Sequence, residues 1–320
     1  MSYLLIILLI ISTKILGKIG IHFGLSEVVG QLLAGVFLGA SLLNLVQPTS
    51  TMHWIAETGV FLLMLNSGLE SNLKEMKKYV KSSSLIAIMG VIVPMITFPV
   101  VFFLLSYSSV VSLFAGIVFS ATSISITLAV LAEQKKLATA MGTIIVSAAI
   151  LDDIIALLAV TIFSVFVGGG TLGISSLLPL MGFIIGMLLK KFNFSDNVVA
   201  VTTRVGNLFF YPVFFGSIGL GIDIQKLDGK VMPIIIFSIL AILTKFSGSL
   251  FGARLSGLSR EIANAIGAGM ISRGEMALVI VQIGISANLI NDITSAEFVV
   301  TVIISTIVAP IMMKPLFAKV

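Results

Sequence analysis

The stretch "SAAILDDIIALLAV", residues 147–160, places two adjacent aspartates inside an unbroken apolar run. The run is long enough for a helix among lipid or other apolar helices, and a carboxylate is costly in either setting. Composition says which setting applies. Of the 320 residues, 58% are hydrophobic and only 10% are charged, against about 25% charged in a typical soluble domain. A mean hydropathy of +1.19 points the same way. The chain reads as an all-α integral membrane protein, and Asp152 and Asp153 as intramembrane acids with a task.

The formal net charge of +5 is therefore not a nucleic-acid signal, because basic residues in such a chain mark cytoplasmic loops. There is no cysteine, which excludes a disulfide framework and thiolate metal sites. The N-terminal "MSYLLIILLIISTKIL" lacks a basic lead-in and a small-residue cleavage site, so it is expected to be a retained helix and not a signal peptide.

A spanning helix needs about 20 mostly apolar residues. Eleven stretches qualify: 2–21, 26–46, 53–70, 82–106, 109–132, 137–167, 173–190, 198–222, 231–252, 261–289 and 294–317. Their charges test the count. Lys14, Lys18, Lys74, Lys77, Lys78, Lys81, Lys135, Lys136, Lys190, Lys191, Arg254, Arg260, Lys314 and Lys319 all fall on one side, and only Lys226 and Lys230 on the other. The positive-inside rule makes the first side cytoplasmic, with the N-terminus outside and the C-terminus inside. Arg204, Lys245 and Arg273 fall within spans.

Two short matches suggest duplication. Gly68-Leu69-Glu70 aligns with Gly221-Ile222-Asp223 at an offset of 153, and "LLAGVFL" aligns with "FIIGMLL", Gly35 over Gly186, at 151. They define a five-span repeat, 25–167 and 173–317, preceded by one further helix. An odd number of spans per unit inverts the second copy, an arrangement typical of secondary transporters.

Asp152 and Asp153 point about 100° apart on a helix, so they serve two different partners and do not share one proton face to face. The second repeat carries Ile304 and Ser305 at the corresponding place, so the doublet belongs to a single site. Lys245, in "AILTKFSGSL", is an ammonium deep in a span and calls for a carboxylate, either Asp152 or Asp153. "FSATSISIT", residues 119–127, and "MISRGEMAL", residues 270–278, interrupt apolar spans in corresponding positions. Paired interruptions point to broken helices whose hydroxyls and freed carbonyls can hold a small cation. Arg273 and Glu275 are expected to neutralise charge locally and hold the second break. Glu70 and Asp223 are expected to cap or snorkel at helix ends, and His22 and His53 to be interfacial.

In order along the chain, "SEVVGQLLAGVFLGASLL", "ETGVFLLMLNSGLE", "SATSISIT", "ILDDIIALLAV", Lys245 and "SRGEMALVI" form a set that resembles the monovalent cation:proton antiporters of the NapA, GerN and Kef type. The resemblance implies a single transporter domain over 1–320, with an ion-binding core of helices 82–167 and 231–317. Helices 2–70 and 173–222 would form a dimerisation scaffold. It implies that Asp153 is the main cation and proton carboxylate, that Asp152 pairs with Lys245, and that Thr122 and Ser123 add oxygen ligands to a transported Na+. No resident cofactor, catalysis or nucleic acid is implied; the partners are the bilayer, monovalent cations, protons and a second copy of the chain. Such proteins have about thirteen spans. Here "VFVGGGTLG", residues 165–173, joins the repeats directly, so two spans are expected to be missing, which preserves the inversion.

A potassium/proton antiporter on the same scaffold is the first alternative, because selectivity depends on spacings that no sequence displays. A sodium-coupled solute symporter is the second; it would need a larger cavity and no lysine partner. An intramembrane aspartyl protease would draw its acids from different helices, and a channel would not need alternating access.

Overall fold

The computed structural model describes residues 2–23, 25–70, 77–167, 174–191 and 195–320. Lys74, the Glu70 side chain and the Gly168-Gly169-Gly170 junction lie outside what is described. Among the described residues the regular structure is entirely helical: α1 (Ser2–His22), α2 (Glu27–Leu38), α3 (Ser50–Glu70), α4 (Val80–Leu104), α5 (Ser109–Val118), α6 (Ile124–Glu133) and α7 (Ala140–Val167). Then follow α8 (Ile174–Lys191), α9 (Ser195–Val205), a π-helical segment (Gly206–Phe210), α10 (Tyr211–Leu220) and a short 3-10 turn (Ile224–Leu227). The last four are α11 (Val231–Leu255), α12 (Arg260–Gly269), α13 (Glu275–Ser286) and α14 (Asp292–Phe317). By length and composition, five of the described helices can cross a membrane alone: Tyr3–His22, Val80–Leu104, Ala140–Val167, Val231–Leu255 and Asp292–Phe317.

The second expected span is shorter than its apolar run. α2 stops at Leu38, not at 46. Gly39 ends it, and the chain folds back so that the N–H groups of Asn44 and Leu45 bond to the carbonyls of Gly39 and Leu38 at 2.7 and 2.9 Å. Asn44 takes a φ of 49°, a left-handed conformation that asparagine tolerates. Hydrophobicity alone does not register such a turn.

The chain forms two compact units. One holds α1–α3, α8–α10 and residues 285–296; the other holds α4–α7, α11, α12, most of α13 and the part of α14 from Glu297 onward.

Within the first unit, glycines carry the signature of the repeat. A Cβ on Gly35 would lie 2.1 Å from the Gly216 carbonyl, and one on Gly219 would lie 2.2 Å from the Leu32 carbonyl. A Cβ on Gly186 would lie 2.2 Å from the Leu65 carbonyl, and one on Gly68 would lie 2.2 Å from the Phe183 carbonyl. Adding 151 converts 35 to 186, 65 to 216, 68 to 219 and 32 to 183. The α2–α10 crossing is thus the α8–α3 crossing with the repeats exchanged, as a two-fold relation requires. The packing also corrects the register: Gly68 corresponds to Gly219, not to Gly221. A tripeptide match tolerates a two-residue slip, whereas backbones in contact do not.

In the second unit both fourth members of the repeats are broken. α5 and α6 are separated by residues 119–123, and α12 and α13 by 270–274, again 151 apart. The ten residues of α5 and of α12 rise about 15 Å each, half of a hydrocarbon layer of about 30 Å. Each break therefore falls near mid-membrane.

Candidate functional site

Breaking a helix in lipid frees backbone groups that cost several kcal/mol each, about, if left unpaired. The two breaks first satisfy each other. The Ser123 N–H donates to the Ser272 carbonyl at 2.8 Å. The Ser272 hydroxyl donates to the Ser123 carbonyl at 2.8 Å, and Thr127 donates to the Gly269 carbonyl at 2.8 Å. Side chains take the remaining carbonyls. Lys245 donates to the Ser120 carbonyl, and Arg273 donates to the carbonyls of Ala121 and Ala241 at 2.8 and 3.0 Å. Two cations thus stand at the C-terminal, negative end of the half-helix α5, where the macrodipole favours them.

α7 presents the aspartates to this crossing. Lys245 Nζ lies 2.7 Å from both Oδ1 and Oδ2 of Asp152, with both side chains fully buried. The Thr122 hydroxyl donates to Asp152 Oδ2 at 2.6 Å. Asp152 is therefore a satisfied acid. Asp153, one residue on and about 100° round the helix, is 4% exposed, and its Oδ1 is buried without a hydrogen-bond partner. Orphaned buried oxygens of this kind are uncommon in folded proteins.

Ser123 does not reach the aspartates. Its hydroxyl donates to Glu275 Oε2 at 2.8 Å, and that of exposed Ser125 donates to Oε1 at 2.8 Å. The Glu275 carboxylate sits in the first turn of α13 and binds the first turn of α6, so it opposes the positive ends of two half-helices. Arg273 and Glu275 take different partners at the break: Arg273 donates to carbonyls and Glu275 accepts from hydroxyls. The break leaves acceptors in need of donors, and a guanidinium fork is a better donor set for them than any hydroxyl. The Arg273 carbonyl in turn accepts from Thr306 on α14.

Residue-type reasoning passed over Glu297. It lies fully buried on α14 and accepts from the Tyr107 hydroxyl at 2.7 Å; Lys230 Nζ is 3.3 Å away. The signal was available, since an acid inside span 294–317 is as unusual as the doublet. Burial, reinforced by the hydrogen bond to Glu297 and its charge, raises the pKa of Tyr107 in the α4–α5 turn above the usual phenol value. Elsewhere, Asp223 caps the short 3-10 turn through Gln225 N–H at 3.1 Å, His53 lies 3.2 Å from Glu57, and Arg204 is exposed on α9.

Crossed broken helices with a buried acid pair and a buried lysine define a secondary ion transporter. A family model for the transmembrane sodium/hydrogen exchangers matches residues 4–182 and 171–319, and the chain belongs to that family. It is 32% identical to a Na(+)/H(+) antiporter of Enterococcus hirae, over 98% of this chain and 97% of that protein. It is 27% identical to the Na(+)/H(+)-K(+) antiporter GerN of Bacillus cereus, over 98% and 95%. Among solved structures, the sodium proton antiporter MjNhaP1 of Methanocaldococcus jannaschii superposes with a TM-score of 0.78 at 14% identity, covering 98% of this chain and 97% of that one. This chain has the same fold. The alignment with the Enterococcus hirae protein runs over 377 positions, more than the 320 residues here.

Proposed function

We propose that the protein exchanges Na+ or Li+ for protons across the cytoplasmic membrane, by alternating access to Asp153. The observation that carries this reading is the orphaned Asp153 oxygen beside a fully satisfied Asp152. One acid is structurally committed; the other is free to take a proton or a cation in competition. Thr122 and Ser123 would turn their hydroxyl oxygens to the transported ion, and Asp152 would join them when Lys245 yields. Arg273 and Glu275 hold the crossing open for it. The ion is substrate, and no resident cofactor or chemical catalysis is needed. The unit with the crossed helices would move as the ion-carrying core, and the glycine-packed unit would form the scaffold of a homodimer. The charge pattern supports an N-terminus outside and a C-terminus inside.

Purified protein in proteoliposomes tests this. Adding sodium, lithium or potassium in turn should dissipate a proton gradient with sodium and lithium. Apparent sodium affinity should improve about tenfold per pH unit for one displaced proton, or about 1.4 kcal/mol. An affinity that stays flat with pH while exchange persists would remove the shared carboxylate. The potassium/proton reading is supported by relatives, GerN among them, that are named as potassium antiporters or efflux systems, and a response to potassium alone would establish it.

A further inference from the structure

Lys245 has a neighbour that the exchange site does not use. Ser249 lies one turn further along α11 on the same face, is fully buried, and its Oγ has no hydrogen-bond partner. Opposite it on α4 stands Gly90. A Cβ built on Gly90 would lie 2.8 Å from Ser249 Oγ, 3.5 Å from Lys245 Nζ and 3.6 Å from Lys245 Cε. Hydroxyl and ammonium therefore both pack against Gly90, the hydroxyl so closely that a side chain at position 90 would displace it.

The packing around Gly90 is close on both helices. A Cβ on Gly248 would lie 2.5 Å from the Met89 carbonyl, and one on Gly252 would lie 2.4 Å from the Leu85 carbonyl. α4 and α11 are thus in backbone contact on either side of it. A buried hydroxyl left unpaired costs about 1–3 kcal/mol, and serine mid-helix ordinarily bonds its own preceding turn. Thr244 on the same helix does so, donating to the Leu240 carbonyl at 2.7 Å.

We propose that Ser249 and Gly90 form a second seat for the Lys245 side chain, taken when a cation displaces it from Asp152. This rests on the exchange reading above. In the present arrangement the ammonium is held by acceptors alone, the Asp152 carboxylate and the Ser120 carbonyl. A cation drawn to the Asp152–Asp153 pair competes with the ammonium for the same oxygens and repels it. Arg273, already on the carbonyls of Ala121 and Ala241, closes the other direction with a like charge. The lysine then needs an acceptor within a small swing of its flexible stem, and the Ser249 hydroxyl is the one that stands orphaned beside it. The role is positional: Ser249 touches the lysine and not the transported ion.

The test reads sodium binding and folding separately, with purified wild type, Ser249→Ala and Gly90→Ala in detergent. Melting temperature is measured against sodium concentration, since a bound ligand stabilises by mass action. Wild type should melt higher as sodium is added; absence of that response would sink the exchange reading itself. Ser249→Ala should melt no lower than wild type without sodium, because the hydroxyl it removes is unpaired there. Its half-maximal sodium concentration should rise about tenfold, the worth of a hydrogen bond to a charged group. Gly90→Ala, whose Cβ would come within 2.8 Å of Ser249 Oγ and push the hydroxyl aside, should raise it likewise. A Ser249→Ala midpoint within about twofold of a responsive wild type would overturn the second seat and leave the hydroxyl a packing fault.

Discussion

The two helix breaks occupy the same place in their repeats and are built from different chemistry. Residues 120–123 offer small and hydroxyl side chains and carbonyls freed from the helix; residues 270–274 bring Arg273, with Glu275 at the next position. The first break receives Lys245 and Arg273 on its carbonyls; the second sends Arg273, and α11 sends Lys245. Symmetry would pair the Ala121 carbonyl with the Gly274 N–H, as the Ser272 carbonyl pairs with Ser123; the Arg273 guanidinium holds it. The helices that follow differ in the same sense. α7 carries Asp152 and Asp153, and α14 carries Ile303 and Ile304 at the offset of 151. The scaffold is duplicated and the charge is not. A two-fold fold supplies two broken helices that meet at one crossing, and the second repeat has become the support of the first.

The largest break in this comparison comes from moving the acid. Asp153→Asn should reduce sodium-driven proton flux in proteoliposomes to the background of empty vesicles, since an amide neither titrates nor balances a cation. Adding Ile304→Asp should not restore flux, because α14 has no Lys245 or Thr122 beside that position. Restored flux would show the repeats to be interchangeable.

Lys245→Gln comes next. It strands Asp152, and removing one partner of a buried pair costs about 3–5 kcal/mol, to be read as a fall in melting temperature. If Lys245 takes part in the cycle, exchange should survive more slowly and lose its response to a potential imposed with valinomycin and potassium. Equal voltage sensitivity in both proteins would reduce Lys245 to a structural ion. Arg273→Gln should cost less, about 2–3 kcal/mol, through weaker donors to the Ala121 and Ala241 carbonyls. Glu275→Gln should cost less again, because an amide oxygen still accepts from Ser123 or Ser125. A reversed order would make Glu275, not Arg273, the brace of the crossing.

The smallest effect lies away from the crossing. The unfolded chain releases the Tyr107 proton near the ordinary value of about 10, and the folded chain holds it further. The stability contributed by Tyr107 is thus full below that pH and falls as pH rises toward the raised value. Tyr107→Phe should cost about 1 kcal/mol at neutral pH and flatten the alkaline decline in melting temperature. Parallel declines in the two proteins would place the lost stability elsewhere.

Hydropathy was enough to give an all-helical membrane protein, and short internal matches and paired polar interruptions gave its inverted duplication and the neighbourhoods of both breaks. These are local properties: the cost of a charge or an open helix end in lipid is the same wherever the chain goes next. The end of α2 at Leu38, the register of 151 and the partners of Arg273 were not legible. Each depends on how closely one backbone approaches another, to within a few tenths of an ångström. The aspartate doublet shows the division most plainly. Helix spacing placed two acids about 100° apart and left either open to the lysine, while the family resemblance named Asp152. Only the tertiary structure, by setting the rotation of α7 against α11, put Lys245 and Thr122 on Asp152 and left an Asp153 oxygen without a partner.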